Sequence, residues 1–289
     1  MKRKARRKLL RQVCPPVTAE LLKTFAYYCL SGDMLAPPGF HHRGDPDAVD
    51  PLGMTKRMVY EAFLSGDMAF FEELAAAWNT DRWHEFAISR RTYQCKNGKV
   101  RPIDLSSEYR RLLCLWVRDH LQQLVDDKEY LLPSVVGFRH IWEFGDYKGR
   151  KDGITIQDVF VSTVWRLVRR HGPWVVLLDQ RDAFGNIPHS IIHAALKELG
   201  VPNRERRSII ELVRIRTVKP NGSILKPKSY GIEQGNYLAP LVFNIVQSFI
   251  ARQLFAQGIP MTCYGDDLVL VASASVEAHR PFDDYKDVT

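Results

Sequence analysis

The chain lacks any pattern that would tie its cysteines to a zinc ion or to a disulfide framework. Only five cysteines occur among 289 residues, and no two of them form a Cys-x-x-Cys pair. The sequence therefore gives no support to a zinc ribbon or a disulfide-rich secreted scaffold. It favours a reducing compartment, and we expect a cytoplasmic protein.

Long apolar runs are missing as well. The longest apolar stretch, residues 238–255, is broken by Asn244, Gln247, Arg252 and Gln253. This pattern predicts a buried helix of a globular core and not a membrane span. The basic start of the chain has no apolar segment after it, so we expect neither a secretory signal nor a membrane partner.

Charge is nearly balanced outside the first eleven residues. The formal net charge is +8, and seven positive side chains lie in that short segment, so the remainder carries about +1. A basic tail suits the phosphate backbone of a nucleic acid, and the alternative is a solvated terminus. The tail residues are Lys2, Arg3, Lys4, Arg6, Arg7, Lys8 and Arg11.

The most informative segment that is present is an acidic turn, Tyr264-Gly265-Asp266-Asp267. Residues 261–263 (Met-Thr-Cys) and 268–271 (Leu-Val-Leu-Val) flank it and predict two short buried strands joined by a tight hairpin. At the tip of such a hairpin, two neighbouring carboxylates can reach one cation, which offsets their mutual repulsion. Taken alone, the turn is equally consistent with a solvated Asp-Asp pair.

A further carboxylate follows an apolar segment of strand length, residues 173–178. Asp179 ends this segment, and residues 190–199 then show a helical pattern. We therefore expect Asp179 at the carboxyl end of a buried strand, where sites in α/β sheets commonly lie. Asp182 is interpreted as a solvated carboxylate.

Between these acidic segments, a polar loop containing Gln234-Gly235 runs into the apolar helix that starts near Leu238. Three segments in order, around Asp179 with Phe184, around Gln234, and around Asp266, resemble the palm motifs of the reverse transcriptases. The likeness is greatest to the bacterial and intron-type branch and covers roughly residues 88–272. The family usually has proline where this chain has Glu233, which we expect to add a negative charge beside the nucleotide pocket.

The resemblance implies an α+β fold, a right-hand polymerase with fingers and palm, preceded by a helical N-terminal extension. Helical patterns at residues 18–30, 55–64 and 68–78 fit the extension. We expect a missing or truncated thumb, because few residues follow the acidic turn. The expected domains are a basic tail with the extension (residues 1–85), the fingers (86–172) and a palm that is incomplete at its C-terminal end (173–289).

A hairpin of the fingers is expected around Asn97-Gly98, a strong type I′ turn signal between residues 88–95 and 99–105. By resemblance, Lys99 and Arg101 bind the incoming nucleotide, since basic side chains suit phosphate. The alternative is an ordinary surface hairpin with solvated basic residues. The residues expected to contact nucleic acid in the fingers are Arg90, Arg91, Lys96 and Arg139.

The resemblance also implies catalysis with two Mg²⁺ ions, for which Mn²⁺ is a substitute. The expected metal ligands are Asp179, the carbonyl of Gln180, Asp266 and Asp267, of which the three aspartates are catalytic. Gln234 and Gly235 are expected to line the nucleotide pocket, together with Gln180 and Phe184.

Phe184 bears on which nucleic acid is made. By resemblance, an aromatic ring at this position lies under the sugar and excludes a 2′-hydroxyl, the group that distinguishes RNA from DNA. Phe184 therefore indicates DNA synthesis, although it is also consistent with a core phenylalanine. Two alternatives stay open: a viral-type RNA-dependent RNA polymerase, and a non-processive or inactive palm subunit that binds nucleic acid.

The implied partners are an RNA template, a DNA or protein primer, and dNTPs. A protein or structured-RNA partner is expected to supply a thumb-like clamp. The expected setting is a bacterial retroelement or an antiviral defence system of the same lineage.

Overall fold

A computed structural model describes most of the chain, and it divides into two compact units. Unit 1 comprises Met1–Leu121, Pro202–Lys228 and Ile232–Ala239, and unit 2 comprises Gln122–Val201, Ser229–Gly231 and Pro240–Thr289. Side chains are not described at residues 28–34, 89–96 and 99–105. The described residues are 12–34, 49–83, 89–96, 99–140, 144, 154–214, 223, 226 and 228–273.

Unit 1 begins with three helices: α1 (Ala19–Met34), α2 (Lys56–Ser65) and α3 (Ala69–Asn79). Helix α1 packs against both α2 and α3. Thr55 caps α2 by accepting a hydrogen bond from the Met58 N–H at 3.1 Å. The helices predicted at 18–30, 55–64 and 68–78 are therefore confirmed.

A two-stranded antiparallel hairpin follows, formed by β1 (Ser89–Lys96) and β2 (Lys99–Ser106). Lys96 lies opposite Lys99, which is the register expected for a two-residue turn. The predicted hairpin is confirmed as a backbone element, whereas its assignment to the fingers stays a prediction. Its turn residues 97–98 lie outside the described residues. Helix α4 (Glu108–Asp127) comes next in the chain.

Unit 2 contains an antiparallel sheet of three strands, β3 (Trp174–Asp179), β4 (Met261–Tyr264) and β5 (Asp267–Ala272), in the order β3-β5-β4. The remaining helices, in chain order, are α5 (Ile156–His171), α6 (Ala183–Asn186), α7 (His189–Leu199), α8 (Asn203–Val213) and α9 (Ala239–Ala256). Helix α8 belongs to unit 1. Helix α5 packs against β4 and β5. Strands β4 and β5 are buried over most of their length, as predicted.

Strand β3 corrects one expectation. It was predicted to be buried, but it lies at an edge of the three-stranded sheet, and Leu177 is 74% exposed. The strand is apolar in sequence, but an apolar run by itself does not distinguish a central strand from an edge strand. Asp179 nevertheless occupies the carboxyl end of the strand, as expected.

Helix α9 is the core helix that the interrupted apolar stretch predicted. Its residues are buried almost throughout, including the polar Asn244 and Gln247. Among the helices that the structure describes, none combines the length and apolarity that crossing a membrane requires. The proposed division into tail, fingers and palm stays a prediction.

Candidate active site

The site is built where two strands of unit 2 end side by side. Asp179, the last residue of β3, lies directly opposite Asp267, the first residue of β5. Gly265 and Asp266 form the two-residue turn between β4 and β5, with Tyr264 opposite Asp267. The Gln180 N–H donates to the Asp266 carbonyl oxygen at 3.2 Å, which ties the end of β3 to the turn. All three carboxylates are exposed and accessible to a substrate.

These residues fit a divalent cation that is shared with a substrate. Aspartate oxygens are hard donors of the kind that Mg²⁺ prefers, and Mg²⁺ is commonly held by one or two carboxylates plus substrate phosphates. Within the described residues, no group of three His, Cys, Asp or Glu side chains is placed so that it could hold a metal ion. The facing pair Asp179 and Asp267 suits the shared mode of binding.

The acidic turn rests on a backbone segment that comes directly before Phe138. The Cys263 N–H donates to Ser134 O at 3.0 Å, and the Val136 N–H donates to Cys263 O at 2.9 Å. Gly137 then packs against the turn itself, because a Cβ at this position would lie 3.0 Å from the Gly265 Cα. The side-chain amide of Asn244 fixes Gly137 by donating to its carbonyl oxygen at 2.8 Å.

The Cys263 thiol beside this turn is not a nucleophile. Burial raises the pKa of Cys263 to about 12. The thiol therefore stays protonated at neutral pH and packs as a small apolar group.

Three phenylalanines form a cluster beside the acidic turn, where the Phe138 ring lies 3.7 Å from the position of a Cβ on Gly265. Phe184 stacks on Phe243, with ring centroids 4.6 Å apart and planes inclined by 11°. Phe138 meets both rings edge-on, at 5.7 Å from Phe184 and 6.0 Å from Phe243. Phe138 itself is 54% exposed and has a φ of 58°. Since two rings hold Phe184 from different sides, its orientation is fixed by packing.

Sequence reasoning missed the supporting residues Asn244 and Gln247. They lie three apart, on one face of α9, and each reaches a neighbour of the acidic residues. Asn244 bonds Gly137, and the Gln247 Nε2 donates to the Gln180 Oε1 at 2.9 Å. The sequence contains a signal for these two residues, because amide side chains at helical spacing inside an apolar helix need buried hydrogen-bond partners.

In unit 1, the loop that contains Gln234 and Gly235 is positioned by a buried ion pair. The Arg110 Nη2 lies 3.0 Å from the Glu233 Oε2, and both side chains are fully buried. Ser106 and Asn236 each donate a further hydrogen bond to the same carboxylate oxygen. Arg110 also donates to the carbonyl oxygens of Leu212 and Arg214, which lie at the end of helix α8.

This arrangement corrects the expectation for Glu233. Its carboxylate was expected to add a negative charge beside the nucleotide pocket, but Arg110 neutralises it inside the unit. Burial of a carboxylate is tolerated only with such pairing. Gln234 is half-buried, and Gly235 is exposed with a φ of 95°, a left-handed conformation that favours glycine.

The basic residues predicted to contact phosphates are described to different extents. Arg139 donates to the carbonyl oxygens of Leu132 and Val135 and lies over the Phe144 ring, so its guanidinium is already engaged within unit 2. Phosphate binding by Arg139 stays a prediction. The residues described only by their backbone positions in β1 and β2 are Arg90, Arg91, Lys96, Lys99 and Arg101. The predicted tail contacts Lys2, Arg3, Lys4, Arg6 and Arg7 lie outside the described residues.

Carboxylates on neighbouring strand ends, with an acidic hairpin turn and an aromatic ring nearby, are the arrangement expected of a template-directed nucleotide polymerase. Comparison with known protein families identifies the family of this chain. The profile of the reverse transcriptase (RNA-dependent DNA polymerase) family matches residues 92–287, well over half of the chain. The chain belongs to the reverse transcriptase family.

Two curated relatives are Pol polyproteins from the type-1 retrotransposable element R2. The protein from Nasonia vitripennis is 29% identical over 136 residues, which are 42% of this chain and 13% of that protein. The protein from Popillia japonica is 28% identical over 191 residues, which are 61% of this chain and 25% of that protein. The chain therefore spans a quarter or less of the length of these relatives.

Solved structures give weaker likenesses. An apo telomerase from Candida Tropicalis, truncated from its C-terminal domain, has a TM-score of 0.46 at 12% identity and is matched over 75% of this chain and 51% of its own. A partial Cas6-RT-Cas1–Cas2 complex has a TM-score of 0.43 at 17% identity, over 93% of this chain and 41% of its own. The family assignment rests on the sequence match.

Proposed function

We propose that this chain synthesises DNA on an RNA template by transferring nucleotides with the help of two divalent cations. The observation that carries the proposal is the placement of Asp179 opposite Asp267, with Asp266 in the adjoining turn. Family membership supports the reaction class. Mg²⁺ is the preferred ion of such oxygen ligands, and Mn²⁺ is expected to replace it.

The reaction joins a primer 3′-hydroxyl to the α-phosphorus of a dNTP. The new P–O bond forms as the bond to the bridging oxygen breaks, pyrophosphate leaves and the hydroxyl proton passes to solvent. When bound, the cations supply activation of the attacking oxygen and charge stabilisation of the leaving group. Asp179, Asp266 and the Gln180 carbonyl would hold them, and Asp267 adds negative charge beside Asp179.

Phe184 supports dNTPs as substrates. Its ring is fixed against Phe243 and Phe138, so it can act as a rigid wall against the 2′-hydroxyl of a ribonucleotide. A ribonucleotide-using polymerase would need a polar group there to accept that hydroxyl. The RNA polymerase alternative therefore predicts a different side chain at this position.

The biological setting is proposed from the relatives. Their identity as retrotransposon Pol proteins supports a retroelement, and an antiviral defence role remains a second hypothesis. A protein partner that supplies a clamp is supported by large apolar side chains exposed on α5 and β3, Trp165, Trp174 and Leu177. Leu177, the most exposed of the three, favours a polypeptide over RNA, because an aliphatic side chain offers RNA neither a positive charge nor an aromatic surface for base stacking.

Primer extension on an RNA template tests the activity. Asp266→Asn keeps the shape of the side chain but removes a charged ligand, so incorporation should fall by at least about 10²-fold. Asp182→Asn is the matched control, because Asp182 is also exposed and its left-handed φ of 47° suits asparagine equally well. It should incorporate nucleotides at the native rate.

Circular dichroism and urea denaturation should show that both variants fold. Native-like incorporation by a folded Asp266→Asn protein would contradict the assignment of the site. A native chain that binds primer–template but never extends it with Mg²⁺ or Mn²⁺ would favour the inactive palm subunit.

A further inference from the structure

A cavity of about 350 Å³ lies beside Asp179 in unit 2. One wall comes from the end of β3 and the residue after it, Gln180, and another comes from α7 through Ile191. Helix α9 closes the far side with Val246, Gln247 and Ile250. The wall residues from α9 are buried, whereas Asp179 is exposed, so the cavity has a dry end and an end that faces solvent.

The dry end carries an unused hydrogen-bond acceptor. Gln247 lines the cavity and is only 1% exposed. Its Nε2 donates to the Gln180 Oε1, while its Oε1 has no hydrogen-bond partner among the described residues. A buried acceptor without a partner is costly, and most such groups in native proteins are satisfied. A molecule that donates one hydrogen bond here would relieve that cost.

We propose that this cavity binds a small, planar, mostly apolar molecule with a single N–H or O–H donor directed at the Gln247 Oε1. The volume lies within the range of small-molecule sites, and seven of the twelve lining residues are apolar. The polar lining residues are Asp179, Gln180, Arg181, Asn186 and Gln247, of which only Gln247 is fully buried. The phosphates of a nucleotide do not suit the end between Val246 and Ile250, because both side chains are apolar and buried.

Occupancy of the cavity would reach the catalytic residues through Gln180. This residue follows Asp179, accepts from Gln247 and donates its N–H to the Asp266 carbonyl oxygen. A ligand that binds Gln247 therefore changes the surroundings of Gln180, a residue that connects the strand end with the acidic turn. The effect on catalysis rests on the proposed function, whereas the binding does not.

Two probes that differ by one methyl group test the binding. Indole offers an N–H donor, and 1-methylindole has nearly the same shape but no donor. Saturation-transfer NMR with the full chain should show both entering the cavity, with indole bound about five- to tenfold more tightly, the range expected for one hydrogen bond. Equal affinities would overturn the proposal.

Variants of helix α9 test whether the preference for indole arises at Gln247. Gln247→Met removes the acceptor at similar volume and should reduce indole to the affinity of 1-methylindole. Ile250→Phe fills the dry end and should abolish binding of both probes. Gln253→Met is the matched control, since Gln253 is exposed on the same helix and does not line the cavity. An indole preference that survives in a folded Gln247→Met protein would also refute the site.

Primer extension provides a separate measurement. Indole at a concentration near its dissociation constant for the native chain should lower the native rate of dNTP incorporation. At the same concentration it should inhibit the Gln247→Met chain much less, when each rate is compared with that protein's own rate without indole. Because the NMR experiment contains no nucleotide, loss of the indole preference contradicts the cavity proposal alone. Absence of any incorporation contradicts the proposed function alone.

Discussion

Replacing Gly137 with alanine should disable the site without removing any acidic residue. Gly137 has no positive φ, so alanine adds no backbone strain there, and the whole cost comes from contact with the acidic turn. The new Cβ would lie 3.0 Å from the Gly265 Cα, 3.1 Å from the Tyr264 carbonyl carbon and closer still to the Gly265 nitrogen. All three are backbone atoms, which cannot rotate away.

The size of the effect follows from these distances. Heavy atoms pack comfortably at about 3.5–4.0 Å, and the Gly265 nitrogen is the closest of the three atoms, so the turn must move by about 1 Å or more. Gly137 cannot retreat freely, because Asn244 holds its carbonyl oxygen and Val136 is bonded to Cys263. Overpacking of this kind costs about 1–3 kcal/mol of stability. A displacement of about 1 Å at reacting groups can lower the rate about 10²-fold.

Single-nucleotide incorporation and urea denaturation should be measured together, with Gly258→Ala as the control. Gly258 has a φ of 81° and no atom near its added Cβ, so alanine there costs backbone strain but no clash. We expect both variants to lose stability of the order of 1 kcal/mol or more. Only Gly137→Ala should lose incorporation, with near-native binding of primer–template.

Two outcomes would refute this reasoning. Native incorporation by Gly137→Ala would show that the close contact does not position Asp266. An equal loss of activity in Gly258→Ala would show that the assay reports stability and not the geometry of the turn.

Three further predictions concern other parts of the chain. Phe184→Val should increase the use of ribonucleotides relative to dNTPs in primer extension, because the ring no longer blocks the 2′-hydroxyl, and an unchanged ratio would favour the RNA polymerase alternative. Arg110→Met should lower the free energy of unfolding by about 3–5 kcal/mol, since it leaves the Glu233 carboxylate buried and unpaired. A double variant with Glu233→Leu should recover much of that loss in urea denaturation, and no recovery would contradict the pairing. Deleting residues 1–11 should reduce the log–log salt slope of duplex binding by about 0.9 for every phosphate that the tail neutralises in the native chain, whereas superimposable binding curves would identify a solvated terminus.

Local patterns predicted much of this fold. The helical spacing of apolar residues predicted the helices of unit 1, and turn chemistry predicted the β1–β2 hairpin and the acidic turn. Helix α5 was not predicted, although Thr155 and Asp158 form a capping box that marks its start. That signal was present in the sequence and was not used.

Long-range packing set the limit of sequence reasoning. The apolar residues of β3 do not reveal that the strand lies at a sheet edge, because its neighbour β5 is about ninety residues further along the chain. Glu233 was assigned to the nucleotide pocket because the pairing with Arg110, more than a hundred residues earlier, leaves no local pattern. The candidate carboxylates were easier to identify, since each follows an apolar strand.

The buried pair of Arg110 and Glu233 also constrains how this chain can be recombined with its relatives. The two residues lie in α4 and in the Gln-Gly loop, on either side of the segment that supplies Asp179. A chimera that takes residues 1–121 from this chain and the rest from a relative would place Arg110 beside whichever residue the relative has at position 233. Both positions therefore need to come from the same parent. Because they are far apart in the sequence, a functional chimera has to take two separate segments from that parent.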